Sequence, residues 1–306
     1  MITKVFDVFG LGQCSLDYLG VIPGYPPADS KCEFRELAVQ GGGPVATALA
    51  ALSRWGLSCY FAGVIGDDSF GTKILASIAG EGIDTRGVAI RKGCLSQLAF
   101  IAVEPSVGRR TIFWQRPTGT ALDINEVDCI LLQSSRIFHT DGLFIEASLN
   151  SARVARKAGL PVSIDAGTLR PGMLDLARES TFYVASESFA QSFMGENDPI
   201  NACRRLGAMG PEVAVVTLGA RGYVALHNGR VIERPACRAD TVDTTGCGDV
   251  FHAGFLYGFL KGWTVERSLE FSAWAASRVS RCLGGRQGIP GMNEVRRYEK
   301  RRHRQE

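Results

Sequence analysis

The run Val242-Asp243-Thr244-Thr245-Gly246-Cys247-Gly248-Asp249, continuing into the apolar stretch 250–260, holds the residues best placed to do chemistry. A glycine-rich turn that opens directly into an apolar helix presents unpaired backbone N–H groups at the positive end of a helix dipole, and such a site gathers anions. Gly246 and Gly248 remove the side chains that would hold a phosphate away from the backbone, and Cys247 between them is small. Asp249 falls in the first turn of that helix. As a helix-start acid it needs no further explanation, but among phosphate oxygens its charge opposes binding unless it accepts a proton. A carboxylate there can take the proton of an attacking hydroxyl, the general-base role in phosphoryl transfer.

Other candidates are less specific. Asp141 follows the apparent strand 136–140, where open α/β sheets hold ligands, and reads equally as a turn cap before Gly142; Asp165 after 162–164 is treated the same way. Arg109, Arg110 and Arg116 border a candidate hairpin and are either solvated charges or contacts for an acidic substituent such as a carboxylate, phosphate or sulfonate. His252, three residues past Asp249, shares its helix face and reads as a buried, hydrogen-bonded histidine rather than a catalytic one.

Stepping outward to the scaffold, short β-rich runs (5–9, 61–65, 136–140, 162–165, 182–185 and 213–217) alternate with helical-period segments. That pattern predicts βαβ units in a largely parallel sheet covered on both faces. Val45, Ala48, Leu49 and Leu52 repeat at helical spacing after Pro44, which suits a first helical position, and Gly56 ends the helix. Two regions break the alternation: 14–40, with Pro23, Pro26 and Pro27, and 94–117, where 98–103 and 111–114 read as a hairpin about Val107-Gly108. Together they are expected to form a small antiparallel sheet, a lid over a cleft or an edge extension.

The chain has 306 residues, 45% hydrophobic and 21% charged, which suits a folded chain with a core of its own and excludes a disulfide-framed module. The expectation is one domain over 1–306. Its net charge of +3 is concentrated at 295–306, where six Lys and Arg face two Glu, so the body is near neutrality. A nucleic-acid surface spread over the fold is excluded by that balance; the basic tail reads as a solvated helix end. Nine scattered cysteines without a C-x-x-C pair read as reduced thiols in the cytoplasm. No targeting segment and no membrane span are expected, because the N-terminal apolar stretch is short and interrupted by Lys4 and Asp7.

The run 243–249 resembles the D-T-x-G-A-G-D signature of the ribokinase-like, pfkB-type carbohydrate kinases, with Cys247 in place of the usual alanine. Gly41-Gly42-Gly43-Pro44-Val45-Ala46-Thr47-Ala48 resembles the family's N-terminal glycine motif, and the run 63–71 its G-x-x-G-x-D-x-x-G pattern. Thr217-Leu218-Gly219-Ala220-Arg221-Gly222 is similar to its nucleotide-site strand and turn. With the run 284–290, these motifs look most like the subgroup that includes sulfofructose kinases. The resemblance implies a ribokinase-like three-layer α/β sandwich with a small β lid, transferring the ATP γ-phosphate with Mg²⁺ to a hydroxyl of a sugar or sugar derivative. It implies an anion hole from the amides of Gly246, Cys247 and Gly248, Asp249 as base, and Asp17, Gly42, Gly43 and Thr47 at the sugar, with Asp141 and Arg116 as further candidates. Ser186, Thr217, Gly219 and Gly222 would border the nucleotide. Asp243 and Thr245 fall where relatives contribute to a K⁺ site, and a homodimer joined through the lids follows from the same resemblance.

There are departures. The family often has asparagine where Thr47 stands, and N-x-x-E where this chain reads Ser186-Glu187-Ser188-Phe189. Phe189 cannot hold a metal-bound water, which leaves Glu187 as the substitute. A dinucleotide fingerprint at Gly10-Leu11-Gly12 fails because Ser15 replaces the third glycine. A P-loop at 66–71 fails because Thr72-Lys73 reverses the required order. A sugar-binding regulator that lost catalysis, and a nucleoside kinase of the same family, remain as alternatives.

Overall fold

Strands whose successive side chains both need burial must be covered on two faces. In β1 (Phe6–Leu11), Val8 lies in one core and Phe9 and Leu11 in another. The computed structural model describes residues 5–106 and 108–302, the side chain of Arg302 excepted. Lys4, Val107 of the expected hairpin turn and the tail residues 303–306 lie outside the described residues.

Among the described residues, twelve strands follow β1: β2 (Ser15–Val21), β3 (Glu36–Gly42), β4 (Cys59–Gly66), β5 (Asp84–Arg91), β6 (Leu98–Glu104), β7 (Arg109–Gln115), β8 (Ser135–Thr140), β9 (Val162–Ala166), β10 (Phe182–Ser186), β11 (Val213–Thr217), β12 (Tyr223–His227) and β13 (Arg230–Arg234). The α-helices are α1 (Pro44–Arg54), α2 (Ser69–Gly80), α3 (Cys129–Gln133), α4 (Ile145–Lys157), α5 (Met173–Glu179), α6 (Glu187–Met194), α7 (Pro199–Gly207), α8 (Cys247–Leu260), α9 (Val265–Val279) and α10 (Met292–Arg302).

Nine strands form one sheet in the order β13-β12-β11-β10-β9-β8-β1-β4-β5. All pairings from β11 to β5 are parallel, and β12 and β13 are added antiparallel. Helices α1, α8 and α9 cover one face, with Val45, Leu49, Phe255 and Phe271 in its core; α4 to α7 cover the other with Ala152, Leu176, Phe189 and Leu206. This makes the three-layer α/β sandwich expected from the alternation. Helix α1 begins at Pro44, capped by Gly43 at φ 95°, and ends at Arg54 just before Gly56. No described helix is long and apolar enough to cross a membrane.

The small sheet has the order β3-β2-β6-β7. It corrects one expectation: the sheet is mixed rather than antiparallel, because β2 and β6 run parallel, from Leu16↔Leu98 to Val21↔Val103. Between them the chain passes through β3, α1, β4, α2 and β5, and it re-enters the small sheet from the same end. One face packs Leu19, Val21, Ile101 and Val103 against Leu283, while Leu37, Val39, Phe113 and Trp114 stay about half exposed.

Candidate active site

The turn before α8 is held open by its glycines and braced by one carboxylate. Gly246 caps the helix at φ 75°, and a Cβ there would run into the backbone of Gly285. Asp243 is buried; its Oδ1 accepts from Thr245 N (2.9 Å) and Oγ1 (2.8 Å), and its Oδ2 accepts from Gly284 N (2.8 Å). The amide of Cys247 donates to Thr244 O at 3.3 Å. Gly248 is exposed, and a Cβ on it would meet nothing within 4 Å, so open space lies before the positive end of the helix dipole. The Cys247 thiol points away, donating to Ala276 O on α9 at 3.5 Å, and burial pushes it up to about 12.

Asp249 stands half-buried in this first turn. Burial, and then the Asp165 carboxylate, push its pKa up to about 7, while His252 and Arg110 act to lower it and Asp17 to raise it. Charges from β2, β7, β9 and α8 therefore converge on one carboxylate. Arg110 reaches across from β7 and donates to Thr244 Oγ1. Between β7 and the turn lies an open cleft of about 700 Å³, lined by Tyr25, Glu104, Arg109, Arg110, Thr111 and Thr244.

In the small sheet, Asp17 is buried on β2 and accepts from Ser15 Oγ at 2.6 Å. Burial raises its pKa, against the Ser15 hydrogen bond and the Arg286 charge. Gly42, opposite Ser15 in the antiparallel register, leaves the room that the Asp17 carboxylate occupies, and a Cβ on Gly43 would meet the backbone of Gln13 and Cys14. Thr47 is buried one turn into α1, its N–H donating to Gly43 O (2.9 Å). Asp141 is buried with both oxygens engaged, accepting from Gln13 N (2.8 Å) and Leu143 N (2.9 Å), which ties the end of β8 to that of β1. Arg116 is exposed, its guanidinium 4.9 Å from the Trp114 ring centroid.

Ser186 and Thr217 are register partners at the ends of β10 and β11. Ser186 caps α6, accepting from Phe189 N (3.0 Å) and donating to Gly167 O (2.8 Å). Glu187 accepts from Gln191 Nε2 (3.2 Å) and forms an ion pair with Arg221, which sits between Gly219 and Gly222. Phe189 is fully buried against Tyr183. No group of three or more His, Cys, Asp or Glu suited to a metal occurs among the described residues. Of the donors named for a metal, Asp243 braces the turn together with Thr245, and Glu187 pairs with Arg221.

The pfkB family carbohydrate kinase model matches residues 7–291. The chain belongs to that family. Among curated relatives of this pfkB chain, the 5-dehydro-2-deoxygluconokinase of Shouchella clausii is 24% identical, covering 98% of this chain and 97% of that protein. The 2-dehydro-3-deoxygluconokinase of Thermoproteus tenax is 26% identical over 80% of this chain and 81% of its own. Of solved structures, the ribokinase of Arabidopsis thaliana complexed with ribose and ATP superposes with a TM-score of 0.82 at 21% identity, covering 95% of this chain and 98% of that one. The ribokinase of Thermotoga maritima gives 0.82 at 21%, covering 96% and 99%. These two likenesses concern the fold, and it is the ribokinase fold.

One residue of this pfkB chain escaped the sequence reading. Arg286 is buried in the glycine-rich loop 284–290; its Nη1 donates to Ser77 Oγ (3.0 Å), its Nε and Nη2 lack protein partners, and its charge acts on Asp17. The signal was an arginine among glycines, Gly284-Gly285-Arg286-Gln287-Gly288, with nothing nearby to pair it.

Proposed function

We propose that the protein transfers the γ-phosphoryl group of ATP to a hydroxyl of a sugar or sugar derivative, with Asp249 as the general base. The observation that carries this reading is the geometry at the start of α8: Asp249 stands in the first turn beside Gly248, which faces open space, and Arg110 from β7 donates to Thr244 Oγ1 in the turn before it. In the reaction, Asp17 and the backbone near Gly42 and Gly43 hold the sugar, with Thr47 beside them. The acceptor hydroxyl loses its proton to Asp249 as its oxygen bonds to phosphorus, and ADP leaves with the electrons of the broken P–O bond. The amides of Gly246, Cys247 and Gly248, with Arg110, meet the charge of the transferring group.

Ser186, Thr217, Gly219 and Gly222 border the nucleotide in this reading. Mg²⁺ arrives with ATP, coordinated chiefly by phosphate oxygens and water, since this ion dehydrates reluctantly; K⁺ beside Asp243 and Thr245 is tested in the same assay. The small sheet acts as a lid (14–40 and 94–117) of one domain, and its closure excludes water. The half-exposed Leu37, Val39, Phe113 and Trp114 support a homodimer joined through the lids. Nine free cysteines support a cytoplasmic setting. Relatives named as kinases of oxidised deoxy sugars, together with Arg110 at the cleft, favour a sugar acid or another acidic sugar as substrate. No observation favours the regulator or the nucleoside kinase.

The test is ADP release over ketoses, aldoses, sugar acids, sulfosugars and nucleosides, with Mg²⁺ and with K⁺ or Na⁺. Turnover with one sugar class is expected, and Asp249→Asn should lower it by about 10²–10⁴-fold. The rate should rise with pH through about 7 as Asp249 ionises. Near-normal turnover of the variant would remove Asp249 from the mechanism, and melting shifts without ADP release across the panel would favour a binding protein.

A further inference from the structure

Behind Gly41 and Gly42 the fold buries an arginine to which the transfer step gives no task. Arg286 is 4% exposed. Its Nη1 donates to Ser77 Oγ on α2 (3.0 Å), while Nε and Nη2 are buried without a hydrogen-bond partner among the described residues. The arginine is fixed from its backbone as well, since Arg54 Nη1 on α1 donates to Arg286 O (2.6 Å). A guanidinium does not give up its proton inside a protein, so a cation this deep needs an anion against it.

Two carboxylates act on it, Glu81 and then Asp17. Glu81 is already met on both oxygens by Arg54, at 2.7 Å from Nε and 2.6 Å from Nη2. Asp17 has the Ser15 hydroxyl on Oδ1 (2.6 Å), and the positive charge that acts on it is that of Arg286. The glycines let the two groups approach. A Cβ on Gly41 would lie 3.0 Å from Nη1 of Arg286, and one on Gly42 would collide with Oδ2 of Asp17. Guanidinium and carboxylate therefore stand against adjacent residues of β3, on the opposite faces that successive residues of a strand present. Burial works to neutralise Asp17, and the Ser15 hydrogen bond and the Arg286 charge work the other way.

We propose that Arg286 is a positioning residue for the sugar: a buried cation that pairs across the glycines of β3 with the Asp17 carboxylate and holds it as an acceptor for the sugar's hydroxyls. This rests on the reading of Asp17 as a sugar contact. A carboxylate held as an anion makes the stronger, charge-assisted hydrogen bonds, and each is given up if the group goes neutral. Arg286 touches no substrate in this arrangement; it acts through Asp17.

Arg286→Met keeps the length of the side chain and removes the charge, whereas Arg286→Lys keeps the charge. In the ADP-release assay Arg286→Met should raise KM for the sugar by about tenfold or more and leave KM for ATP within about twofold, and Arg286→Lys should recover most of the loss. In an Asp17→Asn background Arg286→Met should change the sugar KM by less than about twofold, because the anion it served is gone. Thermal melting gives a reading that needs no substrate. Arg286→Met and Asp17→Asn each leave one buried charge unpaired and should lower the melting temperature, and the double variant should lose clearly less than the sum of the two. Additive losses, or a KM raised for ATP in place of the sugar, overturn the proposal. Should Arg286→Met alone fail to fold, adding Asp17→Asn should restore a folded protein, and failure to restore it overturns the proposal too. If Asp17→Asn raises KM for the sugar and a folded Arg286→Met does not, this inference alone fails. If the wild type releases no ADP across the panel, the kinase reading fails first, and the melting cycle still decides the pairing.

Discussion

At the start of α8 the backbone is kept in place by Asp243 from one side and Gly285 from another, whereas the ends of β10 and β11 present side chains, Ser186 and Thr217, at the rim of the sheet. The first region has no freedom: its turn needs a positive φ at Gly246, and its bracing carboxylate already accepts three hydrogen bonds. The second is held by local caps and a surface ion pair, Ser186 over α6 and Glu187 with Arg221. Under the proposed function, chemistry that requires fixed geometry is expected at the amide region, and recognition that tolerates substitution at the rim.

The sharpest way to break this comparison is a pair of alanines in the rigid region. Gly246→Ala meets both a strained φ and the backbone of Gly285, so it should destabilise the fold by about 2–3 kcal/mol and lower turnover by more than about 10²-fold. Gly248→Ala meets no protein atom, and alanine suits a helix better than glycine, so its melting temperature should hold or rise while its turnover falls nearly as far. Equal activity losses with opposite stability changes would separate a space kept for ligand from a space kept for folding. A fully active Gly248→Ala enzyme would show that the phosphate does not sit there.

How much of this was legible beforehand follows the same division. The amide region is local in sequence: glycines, a small residue and an acid within seven positions, followed by an apolar helix, lead from spacing to geometry without knowledge of the rest of the chain. The Asp141 contacts were not legible, because the amide of Gln13 that its carboxylate accepts comes from a segment 128 residues away. Arg110 and Arg116 share one face of the hairpin by strand alternation, and periodicity cannot choose between them. The choice depends on where along β7 the cradle lies, and on Trp114, which occupies the guanidinium of Arg116. The parallel β2–β6 pairing was hidden for a similar reason. Only the β6–β7 half of the small sheet is a hairpin, while the other half closes over five intervening elements.

The two arginines give the next, smaller effect. Arg110→Ala removes an exposed side chain whose guanidinium donates to Thr244 at the cradle, so the fold should be untouched and kcat/KM should fall by about tenfold or more. Arg110→Lys should recover little of it, because a point charge does not reproduce a planar fork. Arg116→Ala should change kcat/KM by less than about twofold, as expected for an exposed site away from the cleft. A larger loss for Arg116 than for Arg110 would mean that the small sheet closes in another register over the substrate than the one in this structure.

The smallest effect is expected where the chain departs most from its family's pattern. Glu187 is the residue expected to stand in for an acid near the metal and phosphates, yet its carboxylate is paired with Arg221, a half-exposed side chain on the turn between Gly219 and Gly222. If its task is to hold that turn, Glu187→Gln keeps a hydrogen-bond acceptor for Arg221 and loses only a surface ion pair, worth less than about 1 kcal/mol. KM for ATP should then rise by less than about threefold, with kcat and its Mg²⁺ dependence unchanged. If instead Arg221 releases the carboxylate when nucleotide arrives, the same variant should need far more Mg²⁺ for half-maximal rate. A Mg²⁺ titration of the variant beside the wild type separates the two, and a large shift would move the rim into the fixed machinery of the transfer step.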